Sequence, residues 1–175
     1  NFLILVSITF DRNLFNPAVL GQVMLGFAAF CLLTSAVYVV NDIRDVESDR
    51  QHEVKRNRPI ASGAVPIPAA WVLAVGLLAA ALAIQLAAFG NRGGSLLLMA
   101  AYFAANLGYS LGLKHVPFLD IVLLVLGFVL RVLYGAAIVG SVTSAWVYLT
   151  VFALSFYLGL GKRRNELIKT RDSAG

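Results

Sequence analysis

Long apolar runs separated by short polar intervals organise this chain. Five can be read: Pro17–Val40, Pro68–Phe89, Ser95–Leu113, Pro117–Val139 and Ser144–Gly161. Each is close to the ~20 residues a helix needs to cross the hydrocarbon core of a bilayer. The first ten residues, Asn1 to Phe10, read as the tail of a further span. The pattern predicts an all-α, polytopic transmembrane helix bundle with five full spans and a partial one. No simple internal repeat, low-complexity tract or second soluble domain is visible, so residues 1–175 are expected to form a single transmembrane domain. The chain carries neither an initiator Met nor a signal-peptide pattern. It is read as a piece of a longer protein, inactive by itself.

Composition agrees with the pattern. Hydrophobic residues make up 59% of the chain, charged residues 13%, and the mean hydropathy is +0.82. These values belong to an integral membrane protein. The basic residues add an orientation. Eleven of the fourteen Lys and Arg fall in three segments: Arg44 to Arg58, Lys114, and Lys162 to Arg171. Alternation across the spans puts all three on one side, which the positive-inside rule makes cytoplasmic. The net charge of +5 is therefore a topology signal. It is no sign of nucleic acid, because the charges flank membrane spans instead of forming a soluble basic face. The single cysteine, Cys31, has no partner for an intrachain disulfide.

The polar intervals carry the candidate chemistry. Directly after the first full span comes Asn41-Asp42-Ile43-Arg44-Asp45-Val46-Glu47-Ser48-Asp49. If the helix continues, Asn41, Asp45 and Asp49 fall at i, i+4 and i+8, along roughly one face. Hard oxygen donors so arranged suit Mg²⁺, which is usually held by one or two carboxylates plus substrate phosphates. A solvated acidic cap paired with Arg44 and Arg50 is the plainer reading. Next comes Lys55-Arg56-Asn57-Arg58-Pro59-Ile60-Ala61-Ser62-Gly63, a shaped loop in which Pro59 holds Arg58 extended and Gly63 permits a tight turn. Such cations beside carboxylates fit a phosphorylated substrate, or else a juxtamembrane patch attracted to anionic lipid.

A second polar cluster, Tyr109-Ser110-Leu111-Gly112-Leu113-Lys114-His115, is followed by Asp120. The short turn leaves Lys114 near the depth of the acidic motif. His115 reads as an interfacial residue, and His52 has no metal-ligand spacing with it, so zinc is not expected. Arg131 sits inside an apolar span, where it costs about 2.5–3.5 kcal/mol and usually faces a cavity or a partner. Asp120 lies eleven positions earlier on the same face, about 16 Å away along the axis. The two cannot pair directly, yet both can line one polar cavity. The alternative is an arginine bonded to carbonyls or to an acid of another helix. Gly161-Lys162-Arg163-Arg164-Asn165-Glu166-Leu167 reads as a basic helix end favourable to the dipole.

Together these residues resemble the UbiA-type superfamily of intramembrane prenyltransferases. Its first motif, Asn-Asp-x-x-Asp-x-x-x-Asp, is matched by Asn41, Asp42, Asp45 and Asp49. Tyr38, the run from Lys55 to Gly63, the run from Tyr109 to Lys114, Leu130-Arg131 and the stretch from Gly161 to Leu167 also resemble the branch containing decaprenyl-phosphate phosphoribosyltransferase. The resemblance implies a bundle of about nine helices around a cavity open to the cytoplasm, in a bacterial plasma membrane. It implies Mg²⁺ at Asn41, Asp42, Asp45 and Asp49. Catalytic roles fall to Asp45, Asp49, Lys114 and Arg131. Substrate contacts fall to Tyr38, Lys55, Arg58, Tyr109, Lys114, Arg131 and Lys162.

The implied reaction transfers phosphoribosyl from phosphoribosyl diphosphate to a polyprenyl phosphate. Mg²⁺ would bind the leaving diphosphate, Lys55 and Arg58 its oxygens, and Tyr38 the ribose phosphate, while Lys114 and Arg131 guide the lipid phosphate. The aromatic-prenylating branch carries a second Asp-rich motif, where this chain holds only Asp120 between Lys114 and Arg131. That departure favours the phosphoribosyl reading. The alternatives are an aromatic prenyltransferase using a polyprenyl diphosphate, and a non-enzymatic transporter or scaffold with a cation site.

Overall fold

The computed structural model describes residues 1–9, 15–113, 116, 118–141 and 143–172, with side chains in the last helix described for 145–161 and 163–165. A 3₁₀ turn, Phe2–Leu5, leads into a single helical turn, α1 (Val6–Thr9). Helix α2 spans Pro17–Arg44. Asn16 caps it by accepting from the Ala18 N–H at 3.0 Å, and Pro17 occupies the first turn, where no N–H is needed. At 28 residues, α2 is about 42 Å long, more than the ~30 Å hydrocarbon core requires. The apolar run ends at Val40 but the helix does not, so the acidic motif begins on helical geometry.

Asp45 interrupts the dihedrals (φ −88°, ψ 5°), and α3 resumes at Val46–Gln51. Hydrogen bonding nevertheless crosses the break, from Asp45 N–H to Asn41 O and from Asp49 N–H to Asp45 O. After a loop come α4 (Ile67–Ala88), a tight turn with Gly93 and Gly94 at positive φ, and α5 (Ser95–Ser110). The last two elements are α6 (Leu119–Val139) and α7 (Ala145–Asp172).

Two boundaries differ from the sequence expectation. Helix α5 has 16 residues and stops three short of Leu113, where Gly112 at φ +130° cannot continue it. Among the described residues four helices, and not five, are long and apolar enough to span a membrane: α2, α4, α6 and residues Ala145–Asn165 of α7. Helix α7 in turn continues past Gly161, so the basic stretch is helical instead of marking the helix end.

Helices α2 and α6 are innermost. Helix α4 packs along α2, α7 along α6, α5 closes the gap between α2 and α6, and the N-terminal segment lies on α6. Phe30, Leu33, Met99, Tyr102, Leu130, Tyr134 and Ile138 form the core where α2, α5 and α6 meet. Fully buried Gln85 on α4 is satisfied completely. Its Nε2 donates to Gly90 O (3.0 Å) and Ser95 Oγ (2.7 Å), and its Oε1 accepts from Tyr134 OH at 2.7 Å. Away from water such pairing is obligatory.

Close approach of the N-terminal segment depends on Gly135, where an added Cβ would strike the Ile4 carbonyl oxygen. Backbone cannot yield there, so Gly135→Ala is expected to destabilise the protein by about 1–3 kcal/mol. Gly26→Ala meets only the tip of the Ile138 side chain and should cost less. Thermal unfolding of both variants in detergent checks the order. Equal melting temperatures would contradict it.

Candidate active site

Two adjoining groups of side chains gather at the α2–α3 junction and in the cleft beside it. The first is ionic. Pro59 holds Arg58 extended (φ −62°, ψ 144°), and the following residues fold back as Ile60 packs with Ile43, Val46 and Ala70 and Ala61 is buried beside it in sequence. Arg50 Nε, donating to Ala61 O at 3.0 Å, ties the loop to α3. The guanidinium of Arg58 is thereby brought between two acids, its Nη1 donating to Asp42 Oδ1 (2.9 Å) and Asp49 Oδ2 (2.8 Å). The Asp49 side chain is only 3% exposed, and Lys55 Nζ lies 3.9 Å from its other oxygen. Beside this group, Asn41 Nδ2 donates to Asp45 Oδ2 at 3.2 Å, and Ser110 Oγ donates to Asn41 Oδ1 at 2.9 Å, linking α2 to α5.

The second group lines a cavity of about 380 Å³ between α2, α5 and α6. Tyr38, Asn41, Tyr102, Tyr109, Asp120 and Arg131 supply its polar wall, with Leu123, Leu124 and Phe128 on the apolar side. Arg131 donates through Nε to Asn1 Oδ1 (2.9 Å), through Nη1 to Gly127 O (2.7 Å) and through Nη2 to Tyr102 OH (2.8 Å). Its guanidinium also lies 4.8 Å from the centre of the Tyr102 ring and 5.6 Å from that of Phe128. Such contacts favour a cation in a poorly solvated place.

Asn41 is thus shared between the ionic group and the cavity, and Tyr38, Tyr109 and Arg131 line the cavity with it. Asp120 and Arg131, eleven residues apart on α6, face the same space. Asp42, Asp49, Lys55 and Arg58 form the ionic group, with Asp45 beside Asn41. Arg58 differs from its expected role: it is engaged by two carboxylates instead of standing ready as a phosphate clamp. Lys114, His115 and the side chain of Lys162 lie outside the described residues. The partners that sequence reasoning missed are Asn1 and Tyr102. Both are neutral, with no charge or motif spacing to single them out.

The donor chemistry fits Mg²⁺. Among the described residues no three acidic, histidine or cysteine side chains form a ready-made metal cage. Magnesium does not need one, since it keeps open positions for water and substrate phosphate. Asp42 and Asp49 each give one oxygen to Arg58, and a carboxylate has two.

A profile of the UbiA prenyltransferase family matches residues 2–163. Decaprenyl-phosphate phosphoribosyltransferase of Corynebacterium glutamicum is 40% identical over 156 residues, 89% of this chain and 46% of that protein. The protein of the same name from Mycolicibacterium smegmatis is 40% identical over 149 residues, 85% of this chain and 46% of that one. The chain therefore spans about half the length of these relatives. In fold it is similar to a UbiA homolog from Archaeoglobus fulgidus bound to DMAPP and Mg²⁺, with a TM-score of 0.68 and 23% identity, covering 77% of this chain and 49% of that one.

Proposed function

Since the chain belongs to the UbiA prenyltransferase family, an integral-membrane family, we propose that its parent protein transfers a phosphoribosyl group from phosphoribosyl diphosphate to a polyprenyl phosphate, with Mg²⁺, at the cytoplasmic face of a bacterial plasma membrane. The observation that carries this reading is an acid-rich helix end adjoining a cavity that holds a half-buried cation, the two joined through Asn41. The first can hold a metal-bound diphosphate, the second a lipid phosphate. The 40% identity to two decaprenyl-phosphate phosphoribosyltransferases favours this pair of substrates over others of the family.

On this reading Asn41, Asp45 and Asp49 hold the metal, with Asp42 as a further ligand or as a partner that orients them. An ion held there would supply positive charge to offset the negative charge developing on the leaving diphosphate. Arg58 fixes the Asp42 and Asp49 carboxylates, and Lys55, half exposed at the rim, meets the outer phosphate oxygens. Tyr38 and Tyr109 supply hydroxyls to the ribosyl phosphate. Lys114 and Arg131 receive the lipid phosphate, and Lys162 adds charge at the cytoplasmic end. An oxygen of that phosphate attacks C1 of the ribose as the bond from C1 to the diphosphate oxygen breaks. No general base is needed, because the nucleophile is already an anion. Exclusion of water from the apolar wall strengthens each of these charge contacts.

The test is transfer of labelled phosphoribosyl into the lipid phase by the full-length parent in detergent. Label is expected to move with Mg²⁺ present, and to stop on chelation or in Asp45→Ala. Turnover only with a prenyl diphosphate and an aromatic acceptor would replace the reaction and leave the family intact. Mg²⁺-dependent binding or flux without any covalent product would remove the enzymatic reading altogether.

A further inference from the structure

The hydrogen bonds around Arg131 require a carboxamide at position 1. Thr34 is buried on α2, and its hydroxyl donates its one proton to the Phe30 carbonyl. Towards Asn1, at 2.8 Å, Thr34 Oγ1 can therefore only accept. The Asn1 NH₂ group must face Thr34, with Cys31 Sγ 3.2 Å away on the same side of α2. Its carbonyl oxygen consequently faces Arg131 Nε, a group that can only donate. No other arrangement of the amide satisfies both neighbours.

The electrostatic consequence is larger than the geometric one. All three hydrogen-bond acceptors on Arg131 are neutral: an amide oxygen, a phenol oxygen and a backbone carbonyl. Among the described residues no ion pair involves Arg131. A guanidinium inside a bilayer is ordinarily compensated by an acid or by backbone carbonyls, because the bare charge is costly there. Here it is fixed from three sides and left with its whole charge facing the cavity.

We infer that Asn1 is a positioning residue that holds the Arg131 guanidinium without neutralising it, so that the base of the cavity keeps a net cation for the phosphate group of a lipid substrate. This rests on the phosphoryl reading of the cavity for the identity of the ligand, but the bonding pattern is independent of that reading. An aspartate at position 1 has nearly the same shape, yet it cancels the charge and has no proton to give Thr34. Alanine leaves the charge and releases the hold.

The probe is dodecyl phosphate, a single-chain alkyl phosphate, titrated calorimetrically into the full-length parent in neutral detergent. Wild type, Asn1→Asp, Asn1→Ala and Arg131→Leu are compared. Asn1→Asp is expected to lose affinity by about tenfold or more, as Arg131→Leu does, because a carboxylate at contact distance offsets the cation. Asn1→Ala should lose only a few-fold in affinity while kcat for lipid transfer falls by more than KM rises. Circular dichroism melting accompanies each titration, so that only folded protein is compared. Asn1→Asp binding the probe as wild type does would overturn the assignment. So would an alanine variant as weak as the aspartate one, or wild-type protein without Arg131-dependent binding. Arg131-dependent and Asn1-dependent binding in a protein that transfers no phosphoribosyl would instead sink the proposed reaction and leave the role of Asn1 standing.

Discussion

Arg58→Ala is expected to produce the largest combined loss of stability and activity of any single substitution at the site. Asp49 is almost wholly buried, and its nearest cation is the Arg58 Nη1 at 2.8 Å; Lys55 Nζ lies at 3.9 Å and is itself half exposed. Removing one partner of a buried pair typically costs about 3–5 kcal/mol, because the other charge stays behind uncompensated. The partial exposure of Arg58 and Asp42 places this case near the lower end of that range. The same guanidinium aligns both carboxylates proposed to face the metal, so turnover should fall by about a hundredfold or more.

A second variant separates the two effects. Arg58→Ala with Asp49→Asn removes the orphaned charge, and should recover most of the melting temperature without recovering transfer. Thermal unfolding and initial rates of the full-length parent provide both readouts. Wild-type melting in the single variant would mean that Asp49 is adequately hydrated without Arg58.

Arg131→Leu should behave in the opposite way, losing activity while keeping the fold. Leucine is at home in an apolar helix, whereas the arginine carries an insertion penalty of about 2.5–3.5 kcal/mol. Of its former partners, Tyr102 lines a cavity roomy enough for water, and the space vacated by the guanidinium extends it towards Asn1 Oδ1, so water can replace the lost bonds. Stability is therefore expected to be equal or higher. Transfer should drop by about a hundred- to a thousandfold, the scale on which removing one aimed charge or donor slows a reaction. Arg131→Lys keeps the charge but cannot reproduce the three-point hold, and should fall between the two. Near-normal turnover in the leucine variant would assign Arg131 to packing alone.

What was legible in the sequence was whatever depends on neighbours along the chain. The i, i+4 spacing of Asn41 and Asp45 appears as a side-chain contact, whereas Asp49 joins Asp42 on Arg58. Pro59 predicted the extended Arg58, and the eleven-residue interval predicted that Asp120 and Arg131 share a cavity wall. The span ends were read less well. Apolarity stops at Val40, yet α2 continues to Arg44, because a helix ends where its backbone bonding ends and not where lipid does. Helix α5 shows the converse, stopping at a glycine inside an apolar run.

By itself, then, the sequence determined that this is a polytopic helical membrane protein, where its acidic motif falls, and where a costly intramembrane cation lies. Those properties follow from composition and from periodicity along single helices. Only the tertiary structure decided what each charge meets. It folded Arg58 back between Asp42 and Asp49 through the burial of Ile60 and Ala61, and it set Asn1 and Tyr102 against Arg131 from 130 and 29 residues away. Neutral partners at such separations leave no periodic trace in a sequence. They are chosen by helix packing, which decides which groups must satisfy one another once water is excluded.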